Sequence, residues 1–188
     1  INFYGGVTEN GYGGGNQAKV NVSHVLLDGG KVNNLFGSSN LSGDVSTSNV
    51  VVSSGIGENI YGGNNIGGTT NISNVNINGG EIIASQYGIN FDSSAPTGTI
   101  NMNDGQIVSN GDNVHGYSAT VNFSGGNIIH KSGNGINLSN YSNITLSNDF
   151  SFSKESVGNG IYLNSTGNVV VKDNAKILSS IRVFAPNF

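Results

Sequence analysis

The chain has no cysteine, only two prolines (Pro96 and Pro186) and only seven lysines and arginines among 188 residues. Each shortage removes a class of explanation. Without cysteine there are no disulfides, no zinc thiolate sites and no cysteine nucleophile. The 11 acids and seven bases, net charge −4, are scattered with no basic cluster to meet a phosphate backbone, so nucleic acid is not an expected partner. No apolar run approaches the roughly 20 residues that cross a bilayer, so membrane insertion by this segment is not expected either. The start Ile1-Asn2-Phe3-Tyr4 is neither an initiator methionine nor a signal peptide, which reads as a piece cut from a longer protein.

What the chain has in excess is glycine and asparagine, 30 and 32 residues respectively. Glycine takes positive φ without steric cost, and asparagine tolerates the left-handed region while its side chain bonds nearby backbone, so together they mark frequent tight corners. With 35% hydrophobic and 10% charged residues the chain is too apolar for a disordered coil, and it reads as one ordered domain over 1–188.

A three-residue apolar motif recurs at Val25-Leu26-Leu27, Val50-Val51-Val52, Val75-Asn76-Ile77, Ile100-Asn101-Met102, Val121-Asn122-Phe123, Ile144-Thr145-Leu146 and Val169-Val170-Val171, in steps of 25, 25, 25, 21, 23 and 25 residues. Its outer positions are apolar and its middle is often Asn or Thr, the period-two signature of a strand with one buried face. A small residue stands two positions earlier each time, at Ser23, Ser48, Ser73, Gly98, Ala119, Ser142 and Gly167. A Gly-rich corner and a second short strand follow, as in Gly29-Gly30-Lys31-Val32 and Gly79-Gly80-Glu81-Ile82. Such short strands satisfy their backbone groups only against the same strand one repeat later. The expected fold is therefore all-β, a right-handed parallel β-helix (solenoid) of about seven rungs of ~25 residues, roughly 35 Å long. Leu27, Val52, Ile77, Met102, Phe123, Leu146 and Val171 are expected to stack as one inward ladder. Gly11-Tyr12-Gly13-Gly14-Gly15-Asn16 reads as a loop bulging from the first rung. The apolar end Ile181-Arg182-Val183-Phe184 is not a polar cap, so further rungs or a capping element are expected in a larger protein.

The Asn/Ser/Gly-rich rungs such as Asn159-Gly160-Ile161-Tyr162-Leu163-Asn164-Ser165, and corners of the type Asn78-Gly79-Gly80-Glu81-Ile82, resemble the β-helical passenger regions of bacterial autotransporter adhesins and related pectin-lyase-like surface repeat proteins. The resemblance implies a rod displayed outside the cell or secreted, engaged in adhesion to a host-surface protein or glycan or in self-association, without a cofactor. The chain has no stretch resembling that family's membrane-embedded translocator barrel.

Enzymatic β-helices make polysaccharide cleavage, or a phage-tail-like glycan-binding module, the rival expectation. Hydrolysis of a glycosidic bond needs two carboxylates about 5–9.5 Å apart across the bond. Asp149 with Asp173, and Glu81 with Asp104, are the candidate cross-rung pairs, set against the plainer reading that corner carboxylates shape turns. The sole arginine, Arg182, lies near the C-terminus, and no cationic group gathers at either pair, which argues against a lyase. His24, His115 and His130 fall at different stations of the repeat and read as surface polar positions, with no metal column. Gly62-Gly63-Asn64-Asn65-Ile66-Gly67 lacks the aspartate of calcium-binding repeats, and Gly13-Gly14-Gly15 lacks the Lys-Ser/Thr of a phosphate loop.

A third station pairs a bulky or polar residue with glycine: Tyr4-Gly5, Phe36-Gly37, Tyr61-Gly62, Tyr87-Gly88, His115-Gly116, Asn134-Gly135 and Asn159-Gly160. Tyr4, Phe36, Tyr61 and Tyr87, continued by His115, are the candidate ligand-binding column, because rings stacked on an outer face suit sugar rings. An internal aromatic ladder is the alternative: Phe3, Leu35 and Ile60 point the column outward, whereas Ile89 and Ile136 share parity with Tyr87 and Asn134 and argue the reverse. The functional expectation is a non-catalytic stalk or adhesion segment; the alternative is a carbohydrate-active β-helix.

Overall fold

The computed structural model describes residues 1–91, 98–154 and 158–183. Every regular element among them is a strand, from Asn2–Phe3 to Ile181–Val183, and strands pair in parallel with their counterparts one coil on. Seven turns carry the chain from Phe3 through Leu27, Val52, Ile77, Met102, Phe123 and Leu146 to Val171, each residue in register with the next. The ladder read from the repeat is thus observed in register and is buried from Leu27 to Leu146, whereas its last expected member, Val171, is 43% exposed. In early coils a single long strand bends through a corner, as in Val20–Phe36 and Val45–Tyr61. Later coils break into three short strands, such as Ala119–Phe123, Asn127–His130 and Ile136–Leu138. Phe184 lies outside the described residues.

Alternation decides the interior. Leu27, Val52, Ile77, Met102, Phe123 and Leu146 are fully buried, as are Val50, Val75, Ile100 and Val121 two residues before their partners. Each such side chain contributes about 1.5–3 kcal/mol by leaving water. In the later coils the core is aromatic: Phe150 lies 5.1 Å from Phe123 and 5.0 Å from Phe152, centroid to centroid.

The corner after the first face needs glycine for two reasons at once. Gly6, Gly30, Gly55, Gly80, Gly105 and Gly126 all hold positive φ, between 73° and 93°. A Cβ on Gly80 would also meet the carbonyl oxygen of Gly55 at 2.9 Å, so the left-handed bend and the approach of the neighbouring coil both exclude a side chain. In the last two coils Asn148 (φ 51°) and Asp173 (φ 57°) take over this role. The small column Ser23, Ser48, Ser73 faces the glycines of the third station across the coil interior. The Ser23 hydroxyl donates to the carbonyl of Gly37, and a Cβ on Gly62 would strike the Ser73 hydroxyl.

The expected loop at Gly11–Asn16 is absent. Gly11 and Tyr12 end the strand Val7–Tyr12 in register with Leu35 and Phe36, and Gly13 N and Gly14 N donate to the carbonyls of Phe36 and Ser38 at 2.9 Å. These residues form an ordinary rung, because Tyr12-Gly13 is itself the first copy of the aromatic–glycine motif.

Candidate functional site

The outer side of the third face carries one column down the rod: Tyr12, Phe36, Tyr61, Asn90, His115, Asn137, Tyr162 and Arg182, each in register with the next. Leu35, Ile60, Ile89 and Val114, one position earlier, are fully buried, so alternation turns the column outward. This resolves the orientation of Phe36, Tyr61 and His115. Two of the other candidates belong elsewhere. Tyr4 follows the strand Asn2–Phe3, is 67% exposed, and lies at the glycine corner against Gly29. Tyr87 stands one station earlier than the column, aligned with Asp112 and Asn134, since Gly88 N donates to Asp112 O and Asn113 N to Asn134 O. Two different columns share the aromatic-or-Asn–Gly motif, which is why Ile89 and Leu35 gave opposite parities.

The aromatic rings also face differently from the expected platform. Tyr12 stacks on Phe36 at 4.8 Å and 7°, and Phe36 on Tyr61 at 4.4 Å and 19°. The faces of Phe36 are covered by its two neighbours, leaving it 3% exposed. The column presents edges outward, and its stacking holds successive coils together. Further on, Arg182 lies 5.6 Å from the Tyr162 ring centre, a cation over an aromatic face.

Beside this stack run ladders of asparagine. Asn59 donates to Asn34 at 2.8 Å and Asn34 to Asn10 at 3.0 Å, two residues before the aromatic column on the same outer side. Similar ladders join Asn16, Asn40 and Asn65, then Asn76, Asn101 and Asn122, then Asn143 and Asn168. A middle amide such as Asn34 or Asn40 spends one N–H and one oxygen lone pair within its ladder and keeps a second N–H and lone pair for an outside partner, whereas Asn168 donates to both Asn143 and the Tyr141 hydroxyl.

At Asp112 and His115 the outer face becomes concave. A cleft of about 290 Å³ is lined by Tyr87, Asn90, Phe91, His115, Gly116, Tyr117 and Ser139. His115 Nδ1 lies 2.8 Å from Asp112 Oδ2, and the Tyr87 ring covers one face of the imidazole at 4.1 Å and 16°. Asp112 is only 7% exposed and also accepts from Asn137 Nδ2 at 2.8 Å, from Asn134 N at 2.8 Å and from Asn134 Nδ2 at 3.2 Å. Burial pushes the Asp112 carboxyl towards its neutral form. The hydrogen bonds from His115, the Asn134 amide and Asn137, with the charge of a protonated His115, outweigh this and hold it below its ordinary value of 3.8. An ionised carboxylate only accepts, so Nδ1 carries the proton and Nε2 keeps its lone pair in the neutral ring.

No known family, curated protein or solved structure matches this chain. The proposed carboxylate pairs do not form columns: Glu81 is in register with Gln106, and Asp104 with Asn78. Leu146 aligns with Val171, which sets Asp173 opposite Asn148 rather than Asp149. Both Asp149 and Asp173 sit exposed in turns closed by Phe150 N to Ser147 O and Ala175 N to Lys172 O, the turn-shaping role that competes with catalysis. Among the described residues no three His, Asp or Glu side chains gather as a metal site.

The histidines diverge. His24 is exposed, in register with Asn49. His115 lines the cleft. His130, read as a surface position, is fully buried, with Nδ1 3.1 Å from Gly133 O and Nε2 3.1 Å from Ser179 Oγ. The signal for this was present: His130 shares parity with the core residue Ile128 in Asn127–His130. Asp112, Asn90, Tyr117 and Ser139 escaped the sequence reading because they come from successive coils, and only the short Asp112-x-x-His115 spacing hinted at a linked pair.

Proposed function

We propose that this solenoid is a non-catalytic stalk and adhesion segment of a bacterial cell-surface or secreted protein, contacting an extended polar partner along its side. One observation carries this reading. The outward asparagines form like-on-like ladders, as in Asn10–Asn34–Asn59, instead of converging on a reacting centre. The unused donors and acceptors of Asn34 and Asn40 and their ladder neighbours repeat from coil to coil, so weak contacts to a hydroxyl-rich chain add up through multivalency. A host glycan fits this pattern best; a host protein or a second rod are the other partners. The resemblance of the Asn/Ser/Gly rungs to surface adhesins supports display outside the cell.

The Asp112–His115 pair favours a second reading, a carbohydrate-active enzyme. Against it, Asp112 already accepts from His115, Asn134 and Asn137, and none of the described residues lining the cleft is a second carboxylate. Glycosidic hydrolysis in its usual form needs both. A glycan array probed with the wild-type chain and with an Asn34→Ala/Asn59→Ala variant of unchanged fold tests the proposal. Binding that weakens about tenfold or more in the variant is expected, as loss of two or three hydrogen-bonding groups implies. Binding indifferent to the ladder, or release of shortened sugars, overturns it.

A further inference from the structure

We propose that the cleft beside Asp112 and His115 is a binding site for one neutral sugar residue, recognised by the hydrogens of its hydroxyl groups. His115 is held on two sides, by Asp112 through Nδ1 at 2.8 Å and by the Tyr87 ring at 4.1 Å. Asp112 is itself fixed by Asn134 and Asn137 from the next coil, so the imidazole is pre-positioned before any ligand arrives. The ladder of the outer face would need only a polar residue at this station. A clamped imidazole with a free Nε2 is more than that, and it is an acceptor while the ring is neutral.

The second polar group is Asn90, one coil before His115 in the same column. Its Oδ1 is buried and has no hydrogen-bond partner. Buried carbonyl oxygens are ordinarily paired, so this atom points to a donor that arrives from outside, reached by a small turn of the amide. Ser139 stands at the far wall, its hydroxyl at a long 3.3 Å from Gly116 O. The side wall is the Tyr117 ring, 48% exposed, on a backbone fixed by Tyr117 N to Phe91 O at 3.0 Å and Asn140 N to Tyr117 O at 2.6 Å.

Two acceptors over an aromatic wall select the ligand class. A carboxylate, phosphate or sulfate brings acceptors where donors are needed, beside the negative Asp112. An ammonium group finds no open carboxylate, since both Asp112 oxygens are already taken up by His115, Asn134 and Asn137. A pyranose supplies hydroxyl donors to His115 Nε2 and Asn90 Oδ1 and a C–H face to Tyr117. At about 290 Å³ the cleft stands at the small end of ligand sites and holds one ring, with neighbouring rings of a chain continuing over the asparagine ladders. The site thus deepens the adhesive reading and rests on it for the class of partner.

The test follows the His115 ring by NMR, its signal assigned through its loss in His115→Gln, while methyl glycosides of neutral hexoses are added to the whole chain. Saturable movement of the His115 signal with a neutral hexoside is expected, weakened tenfold or more by Tyr117→Ala. A His115 signal that no neutral hexoside moves, that moves equally with methyl glucuronoside or methylammonium, or that is indifferent to Tyr117→Ala, overturns the proposal. The two readings fail separately: array binding with an unmoved His115 sinks the cleft alone, and a titrating His115 with a silent array sinks the adhesive rod alone.

Discussion

At the scale of the residue, the corner glycines carry the sharpest consequences. Gly80 combines φ +75° with backbone of the neighbouring coil 2.9–3.1 Å from any Cβ. Neither the left-handed region nor a rigid carbonyl yields to a methyl group. Gly80→Ala is expected to cost at least about 1–2 kcal/mol, lowering the melting temperature by about 2–8 °C. Gly5, where a methyl group would meet nothing within 4 Å, is the control, and Gly5→Ala is expected to stay within about 0.5 kcal/mol. Thermal unfolding followed by circular dichroism checks both.

Asp112 sets a pH dependence with a definite sign. Its folded carboxyl titrates below the ordinary 3.8, so the folded state favours its ionised form. The stability this gives is fully present above that value and is lost as the pH falls below it, through the folded titration. The melting temperature is expected to drop on acidification in that range. Asp112→Asn is expected to flatten that slope and, at neutral pH, to lose about 1–3 kcal/mol by weakening the charge-assisted bonds to His115, Asn134 and Asn137. An unchanged acid slope in the variant would assign the dependence to other groups.

At the scale of the element, the inward faces were legible and the outward ones were not, for a physical reason. Val25 and Leu27 recur as Val50 and Val52, Val75 and Ile77, because a buried side chain must match its neighbours along the stack as well as across the coil. That double constraint fixes both spacing and parity in the sequence. An outward position answers only to its column. Tyr61 is followed in register by Asn90 and then His115, so residue type alone could not join them, and the Tyr-Gly resemblance of Tyr87-Gly88 led to the wrong column. The carboxylates failed for the same reason, since an offset of one residue at a corner separates Asp149 from the partner of Asp173.

The asparagine ladders are the cohesive feature of the outer side. Asn101 donates to Asn76 at 2.8 Å and accepts from Asn122 at 3.0 Å, tying three coils. Asn101→Ala removes both bonds and leaves Asn76 and Asn122 without them, for an expected loss of about 1–3 kcal/mol. Hydrogen exchange should locate the loosening in the coils on either side, because each coil of a solenoid contacts only its neighbours. Loosening spread evenly over the rod would show that the ladders do not act locally.

At the scale of the whole molecule, the rod is a stack in which like sits on like: apolar ladders inside, aromatic and amide ladders outside, with a break in the pattern at the cleft lined by His115. A stack of this kind offers the same weak contact many times, and binding of an extended partner should strengthen as the partner spans more coils. The most direct test measures affinity for a glycan found on the array as its chain is lengthened, and analyses the recovered sugar for cleavage. The account predicts a dissociation constant that falls at least about tenfold between a disaccharide and a chain long enough to span several coils, with every chain recovered intact. Affinity independent of length, or shortened chains in the recovered material, would contradict it.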